Sequence, residues 1–552
     1  MVVVAVYAVT IALLPAANVP IADDWVYARS VRGLVEDLRF EIVEASVATL
    51  VFHIAWGALF ASVLGMSFDV LRLSTVVLTA TSALALYGLC RALHVSPPWS
   101  ALAAAAWLFN PLGYVLANSF MTDASFAALM VIATFLYVRG LDEERETPRV
   151  VVWASAAAAA AFLVRHQGIL IPLSVLAYLL LARRLTADRR GAVLAGRVAA
   201  VPVATVVVYW LWLNFVHGVP AGQSLFVDGL SVLWGWRAPR FLAELLTVQA
   251  MYAGLFVLPV AAAAVVAVPQ AVRSLSPRLR AALGAGALGV AVGAGALAAA
   301  GRLMPTVPQF FASWGLGPAD IRGGRPEVFG RGLQAVLTVA VVVSLVVVAV
   351  LVARRLTAGA GGKWGAAGLV ASVLAGQVAG VLPPSVHFQI PVPGGILTTT
   401  LDRYLLPLLP LSLALAVWAT ARLRVPAWPA WTATALLGVV AVVGTSDFLR
   451  FQRTVWEAAA AANAAGIDND RLDGGAQWSS EHLYHGWVDV PPPRPEEPWW
   501  INLFAWTTDS SYVLATEPQP GYVEVWHMTY RTHLPRRDNP LLLLRRETVP
   551  PP

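Results

Sequence analysis

Long apolar runs recur along this chain, each closed by a short break of Gly, Pro or charged residues. A membrane-crossing helix needs about 20 apolar residues. The runs that fit this pattern cover 2–20, 70–91, 98–117, 123–140, 150–164, 168–182 and 199–217, then 248–270, 281–300, 331–353, 364–382, 403–421 and 428–446. One further run, 47–64 ("VATLVFHIAWGALFASVL"), carries His53 and follows a charged stretch, so it either crosses or lies at the interface. Between the first two spans, Trp25, Ala28, Val31, Leu34, Val35 and Leu38 recur three or four apart, with Arg29, Arg32, Glu36, Asp37 and Arg39 among them. That spacing predicts an amphipathic helix over 25–40, lying along the membrane plane.

Basic clusters give the orientation. "RRLTADRR" at 183–190, "RSLSPRLR" at 273–280, the pair at 354–355 and "RLR" at 422–424 are each separated from the next by two spans. Arginine excess of this kind marks the cytoplasmic face, which makes the start of span 70–91 external. If 47–64 lies at the interface, Asp23 and Asp24 are external as well and the spans number about 13; if it crosses, the pair is cytoplasmic and they number about 14. The segments 218–247 and 301–330 become external loops, the second irregular because of its Gly and Pro content. After residue 446 the pattern changes. The tail is polar and rich in Pro and Trp, and "SYVLATE" and "GYVEVWHMTY" read as strands joined by a Pro-Gly turn. The expectation is an all-α polytopic membrane domain over 1–446 and a small extracytoplasmic domain with some β structure over 447–552.

Composition agrees with this reading. The chain is 58% hydrophobic and 13% charged, too apolar for a soluble globule. Its one cysteine, Cys90, lies in an apolar run, so neither a disulfide framework nor a cysteine metal site is available. Lys363 is the only lysine, and arginine dominance fits a GC-rich, most simply bacterial, genome. The basic pI near 9.6 reflects arginines between spans, since no basic stripe with interleaved aromatics suggests a nucleic-acid surface.

The spans hold few internal ionisable groups, which argues against an ion-coupled transporter. Charge collects instead at external span ends: Asp23 and Asp24; Asp123 in "NSFMTD"; Arg165 and His166 in "RHQG"; Asp402, Arg403 and Tyr404 in "DRYLLPLLP". Acids and arginines on one face suit a lipid-phosphate substrate whose head group sits at that interface. Each residue also has a structural reading. Asp24 and Asp123 stand where helix caps stand, and Arg165 is placed to snorkel to head groups. Capping does not require two adjacent acids, and Arg403 is an arginine on the face where positive charge is disfavoured. His53 and Trp56 read as packing and interface anchors. "DNDRLDGG" at 468–475 lacks the ligand spacing of a calcium loop and reads as a turn.

"ADDWVYARSVRGL", "WGALFASVLGMSFDVLRLSTVVL", "NPLGYVLANSFMTD" and "DRYLLPLLP" together resemble the GT-C superfamily of membrane glycosyltransferases. The likeness points to the bacterial branch related to protein O-mannosyltransferases and lipid A aminoarabinose transferases, and covers residues 1 to about 425 in organisation. It implies a GT-C-like fold with juxtamembrane helices in the first external loop, which favours the 13-span count. It also implies transfer of a sugar from a polyprenyl-phosphate carrier to an acceptor at the extracytoplasmic face of the cytoplasmic membrane. Asp23 and Asp24 match the acidic motif of the family's first loop, and Asp123 its second-loop acid. Arg165 and Arg403 are approximate counterparts of the carrier-phosphate ligands. Asp-Asp stands where the mannosyltransferases have Asp-Glu, so which carboxylate is the base stays open. One base and one cationic clamp imply a single displacement with inversion. The sequence has no His/Cys metal cluster and names no cofactor, and a divalent ion beside two or three of the acids stays open. The acceptor is an envelope lipid, polysaccharide or protein. The competing functions are an oligosaccharyltransferase or ligase acting on diphosphate-linked glycans and a non-enzymatic lipid or polysaccharide transporter.

Overall fold

The computed structural model describes residues 1–142, 146–224, 238–358, 365–387, 390–392, 396–398, 400–486 and 491–550. Much of the expected loop 218–247, and the start of the Pro-rich stretch at 489–500, lie outside them. Among the described residues, eight helices are long and apolar enough to cross a membrane, or nine when a bent pair counts as one. Shorter apolar helices run Val2–Ala12, Val51–Leu64, Pro148–Phe162, His166–Leu181 and Gly365–Gly380. Each of the thirteen expected spans coincides with one of these helices or with the bent pair.

The differences from the expected spans have local causes. The first helix stops at Ala12 rather than 20, ahead of Pro15 and Pro20. The third expected span is broken into Pro97–Leu108 and Pro111–Ala117, bent by 61°. Pro111 disfavours helical geometry at Asn110, and the Asn110 side chain accepts from the amides of Leu112 and Gly113, capping the second piece. Val51–Leu64 has 14 residues, about 21 Å at 1.5 Å per residue, short of the ~30 Å hydrocarbon core.

The amphipathic helix of the first loop runs Asp24–Glu36 and ends earlier than expected, with Leu38 in the left-handed region and exposed. It does not simply float on lipid. Its N-terminal half is buried on several sides, because Val51–Leu64 packs on one side and the tail helix Ala476–Leu483 on another. Arg29, expected to face solvent, donates to the carbonyls of Glu481 and Tyr484 and lies over the Trp25 ring at 5.2 Å.

The last span is the first half of a 37-residue helix, Trp428–Ala464, that runs unbroken through residue 446. Beyond that point Asp447 accepts from the amides of His533 and Leu534 and from His533 Nδ1, fixing the tail to the helix. The tail sheet has four strands in the order Leu472–Asp473, Tyr512–Ala515, Arg536–Arg546, Tyr522–His533. The two strands expected from the sequence exist, but they are not neighbours. Arg536–Arg546 pairs antiparallel with both and lies between them. In the loop 301–330, Phe311–Ala312 and Gly315–Leu316 form a minimal hairpin. Asp402 holds it from below, accepting from the amides of Phe310 and Phe311, both at 2.8 Å.

Candidate active site

Two ion pairs, one buried and one open to a cavity on its acid side, converge on one aromatic ring. Arg165 Nη1 lies 2.6 Å from Asp123 Oδ1, and Arg403 Nη1 lies 2.7 Å from Asp23 Oδ2. Their guanidinium carbons sit 4.8 and 5.2 Å from the centroid of Tyr404. Four stretches distant in sequence supply these groups: the start of the first-loop helix, the first turn of Thr122–Gly140, the turn at Arg165, and the short helix Asp402–Leu405. Both arginines are more than nine-tenths buried. Buried charge of this kind persists because it is paired. The pairing is incomplete: Arg403 Nε and Asp123 Oδ2 have no hydrogen-bond partner among the described residues. An unpaired buried polar atom costs about 1–3 kcal/mol, so the cluster is built with donor and acceptor capacity to spare.

The Asp doublet divides its duties. Asp23 keeps 31% of its side-chain surface exposed and lines an open cavity of about 180 Å³. Asp24 is fully buried and accepts from the amides of Ile21 at 3.3 Å and Phe120 at 3.1 Å, tying the first loop to the second. Neither acid caps the helix through its side chain. Burial drives the Asp24 carboxyl up to about 7; the Arg72 charge and the two amide bonds oppose the rise, while the Asp23 charge adds to it.

The other expected residues stand apart from this cluster. His166 packs edge-on against Phe162 and Tyr209, with ring centroids 6.2 and 6.3 Å away. Asp402 serves the loop hairpin, although its Oδ1 has no partner among the described residues. His53 bonds the Phe120 carbonyl at 2.9 Å and stacks on the Phe120 ring, and Trp56 donates to Ser74, both as packing residues. Asp473, in the stretch with a faint calcium-loop look, is taken by Arg322 and Trp500. Among the described residues, no group of three or more His, Cys, Asp or Glu is placed to hold a metal.

The cavity beside Asp23 also contains groups the sequence reading passed over. Asp320 and Gln309 come from the loop 301–330, and Gln477, Ser480 and Trp499 from the tail. Asp320 is half-buried, and its carboxyl is driven up to about 7, first by desolvation and then by the Asp23 charge. The Arg403 charge and hydrogen bonds from Gln477 and Trp499 oppose the rise. Its backbone carbonyl accepts from Ala476, and Arg322, two residues on, is bound to Asp473 and Glu497. The loop and the tail therefore form one wall. A lone Asp in a Gly- and Pro-rich loop looks like a turn residue, and nothing nearby in the sequence marks it out.

Residues 47–210 match the family model described as dolichyl-phosphate-mannose-protein mannosyltransferase. The chain is an integral membrane protein. Among solved structures, ArnT from Cupriavidus metallidurans aligns over 100% of this chain and 98% of its own, at 15% identity and a TM-score of 0.37 in the apo state. Its form bound to undecaprenyl phosphate gives 14% and 0.35 over the same shares. The oligosaccharyltransferase AglB from Archaeoglobus fulgidus, in complex with an inhibitory peptide and a dolichol-phosphate, gives 12% and 0.38, over 83% of this chain and 57% of its own. No curated protein matches the sequence.

Proposed function

We propose that the chain transfers a sugar from a polyprenyl-phosphate carrier to an acceptor hydroxyl, with inversion at the anomeric carbon. The observation that carries this reading is the Asp23–Arg403 pair, a base at the cavity wall and a phosphate ligand behind it, held 2.7 Å apart. The carrier phosphate binds at Arg403 and Arg165, whose planar forks suit phosphate oxygens. As Arg403 turns to the phosphate, it releases the Asp23 carboxylate to face the acceptor hydroxyl. Asp23 then takes the acceptor proton, a contribution of roughly 10²–10⁴ in rate. The acceptor oxygen bonds to the anomeric carbon as the bond to the phosphate oxygen breaks on the opposite face. The departing phosphate monoester gains charge, which the two arginines stabilise, so no general acid is needed.

In this reading residues 1–446 form the transferase domain and 447–552 an extracytoplasmic domain that completes the site. The protein sits in a bacterial cytoplasmic membrane with the cavity outside. The family match, to enzymes described as using dolichyl-phosphate-mannose, supports a lipid-phosphate donor. The test is sugar transfer by the purified protein from synthetic polyprenyl-phosphate sugars in detergent or nanodiscs. Transfer with inverted product stereochemistry supports the reading; transfer only from diphosphate-linked glycans replaces it with a ligase, and no transfer from either overturns it.

A further inference from the structure

The wall of the cavity beside Asp23 is mixed in a particular way. Trp499 supplies ring surface, being 46% exposed although it is a large aromatic, and the buried Trp25 lies at the edge of the lining. Asp23, Asp320, Gln309 and Gln477 supply hydrogen-bonding edges. Gln309 also lines the cavity, and its Oε1 is buried and has no partner among the described residues. Three ligand classes fit poorly. An anion meets two carboxylates, an acyl chain meets too many polar groups, and an extended polymer needs more than about 180 Å³. A sugar ring has the complementary pattern, with an apolar C–H face for an indole and a rim of hydroxyls for carboxylates and amides.

We propose that this cavity is a monosaccharide subsite in which Asp320 and Gln309 accept hydrogen bonds from hydroxyls of one sugar ring and Trp499 covers its face. The inference rests on the transferase reading and adds to it a specificity-determining role for the loop 301–330 and the tail. Asp320 is held for the task by the tail: Gln477 and Trp499 lie beside its carboxylate, Ala476 bonds its carbonyl, and Arg322 anchors the adjacent backbone. The sugar comes either from the donor or from a glycan acceptor, since both meet at Asp23. Polar sites of this kind discriminate steeply against analogues lacking a hydroxyl, because the protein group is then left unpaired.

The test uses the full-length protein and two substrate series, donors and glycan acceptors each lacking one hydroxyl at a time. Wild type should lose about 10–100-fold in kcat/KM with one particular deoxy sugar. Asp320→Asn should lose a similar factor with the parent sugar and little more with that deoxy analogue. Gln309→Ala should repeat the pattern with the same or a neighbouring hydroxyl, and Trp499→Ala should raise KM for every sugar in that series. Non-additivity in the donor series assigns the subsite to the transferred sugar, and in the acceptor series to the acceptor. Losses in Asp320→Asn and Gln309→Ala that multiply with every deletion in both series, in proteins that melt like wild type, overturn the subsite while leaving the transferase reading intact. Should Asp320→Asn fold poorly, Gln309→Ala alone decides. A wild type that moves no sugar from any donor overturns both.

Discussion

Asp23 and Asp24 are neighbours in sequence and have opposite prospects. Asp23 faces a cavity and an arginine, while Asp24 faces two amides in the protein interior. Asn preserves size and acceptor geometry but cannot take a proton. Asp23→Asn should therefore lose roughly 10²–10⁴ in turnover, whereas Asp24→Asn should stay within a few-fold of wild type. Comparable losses in both variants would overturn the division of labour. Asp24 also makes a prediction about stability. Its folded pKa of about 7 lies above the ordinary 3.8, so an unfolded chain ionises this group before the folded one does. Its contribution to stability is complete below about pH 4 and is lost as pH rises toward 7. Asp24→Asn removes that loss, and its melting temperature relative to wild type should climb between pH 5 and 7.5; a flat difference would count against the raised pKa. The doublet, Asp123, Arg165 and Arg403 were legible as candidates because charge at the end of an apolar run is conspicuous. Their partnership was not, since 380 positions separate Asp23 from Arg403.

At the scale of elements, hydropathy located the spans well because lipid imposes one requirement on every crossing helix. The tail was harder to read. The strand Arg536–Arg546 ("RRDNPLLLLRR") shows no apolar alternation, and only the folded sheet reveals that it separates the two strands the sequence suggested. The first-loop helix was visible as amphipathic, yet its polar face gave no hint that the tail would cover it. Arg29 joins the two, and charged hydrogen bonds of this sort contribute about 1.5–3 kcal/mol, less where partly exposed. Arg29→Ala should lower the melting temperature and speed protease cleavage within 465–510 while leaving the donor KM within about two-fold. A large rise in donor KM would mean that the helix, rather than Arg403 and Arg165, carries the carrier phosphate. The complementary change, Arg403→Lys, keeps charge but loses the fork; it should raise donor KM or depress kcat far more than Arg184→Ala at the opposite end of the bundle.

For the whole molecule, the proposed topology has the first loop and the tail on one side and residues 183–190 on the other. Thiol labelling from outside intact cells checks this. The native Cys90 is buried and should stay silent. Ser30 and Ser480 are also buried, so the informative positions are the exposed Asp37, Glu524 and Ala187. Asp37→Cys and Glu524→Cys should label, and Ala187→Cys only after the membrane is opened. Labelling of Ala187→Cys alone in intact cells would invert the map.

The helix Trp428–Ala464 has a consequence for traffic through the site. Its 37 residues extend about 55 Å, against a hydrocarbon core of ~30 Å, so it carries on as a stiff post well past the lipid. A tail on a slack tether would swing aside as a lid, and each turnover would wait for it. Here the post enters the tail without a joint, and Asp447 rivets the far hairpin to it. The doorway beside Asp23 thus has a fixed frame. Acceptors whose reactive hydroxyl lies at a chain end should pass through it and be turned over, and those with the same hydroxyl mid-chain should be refused at the threshold.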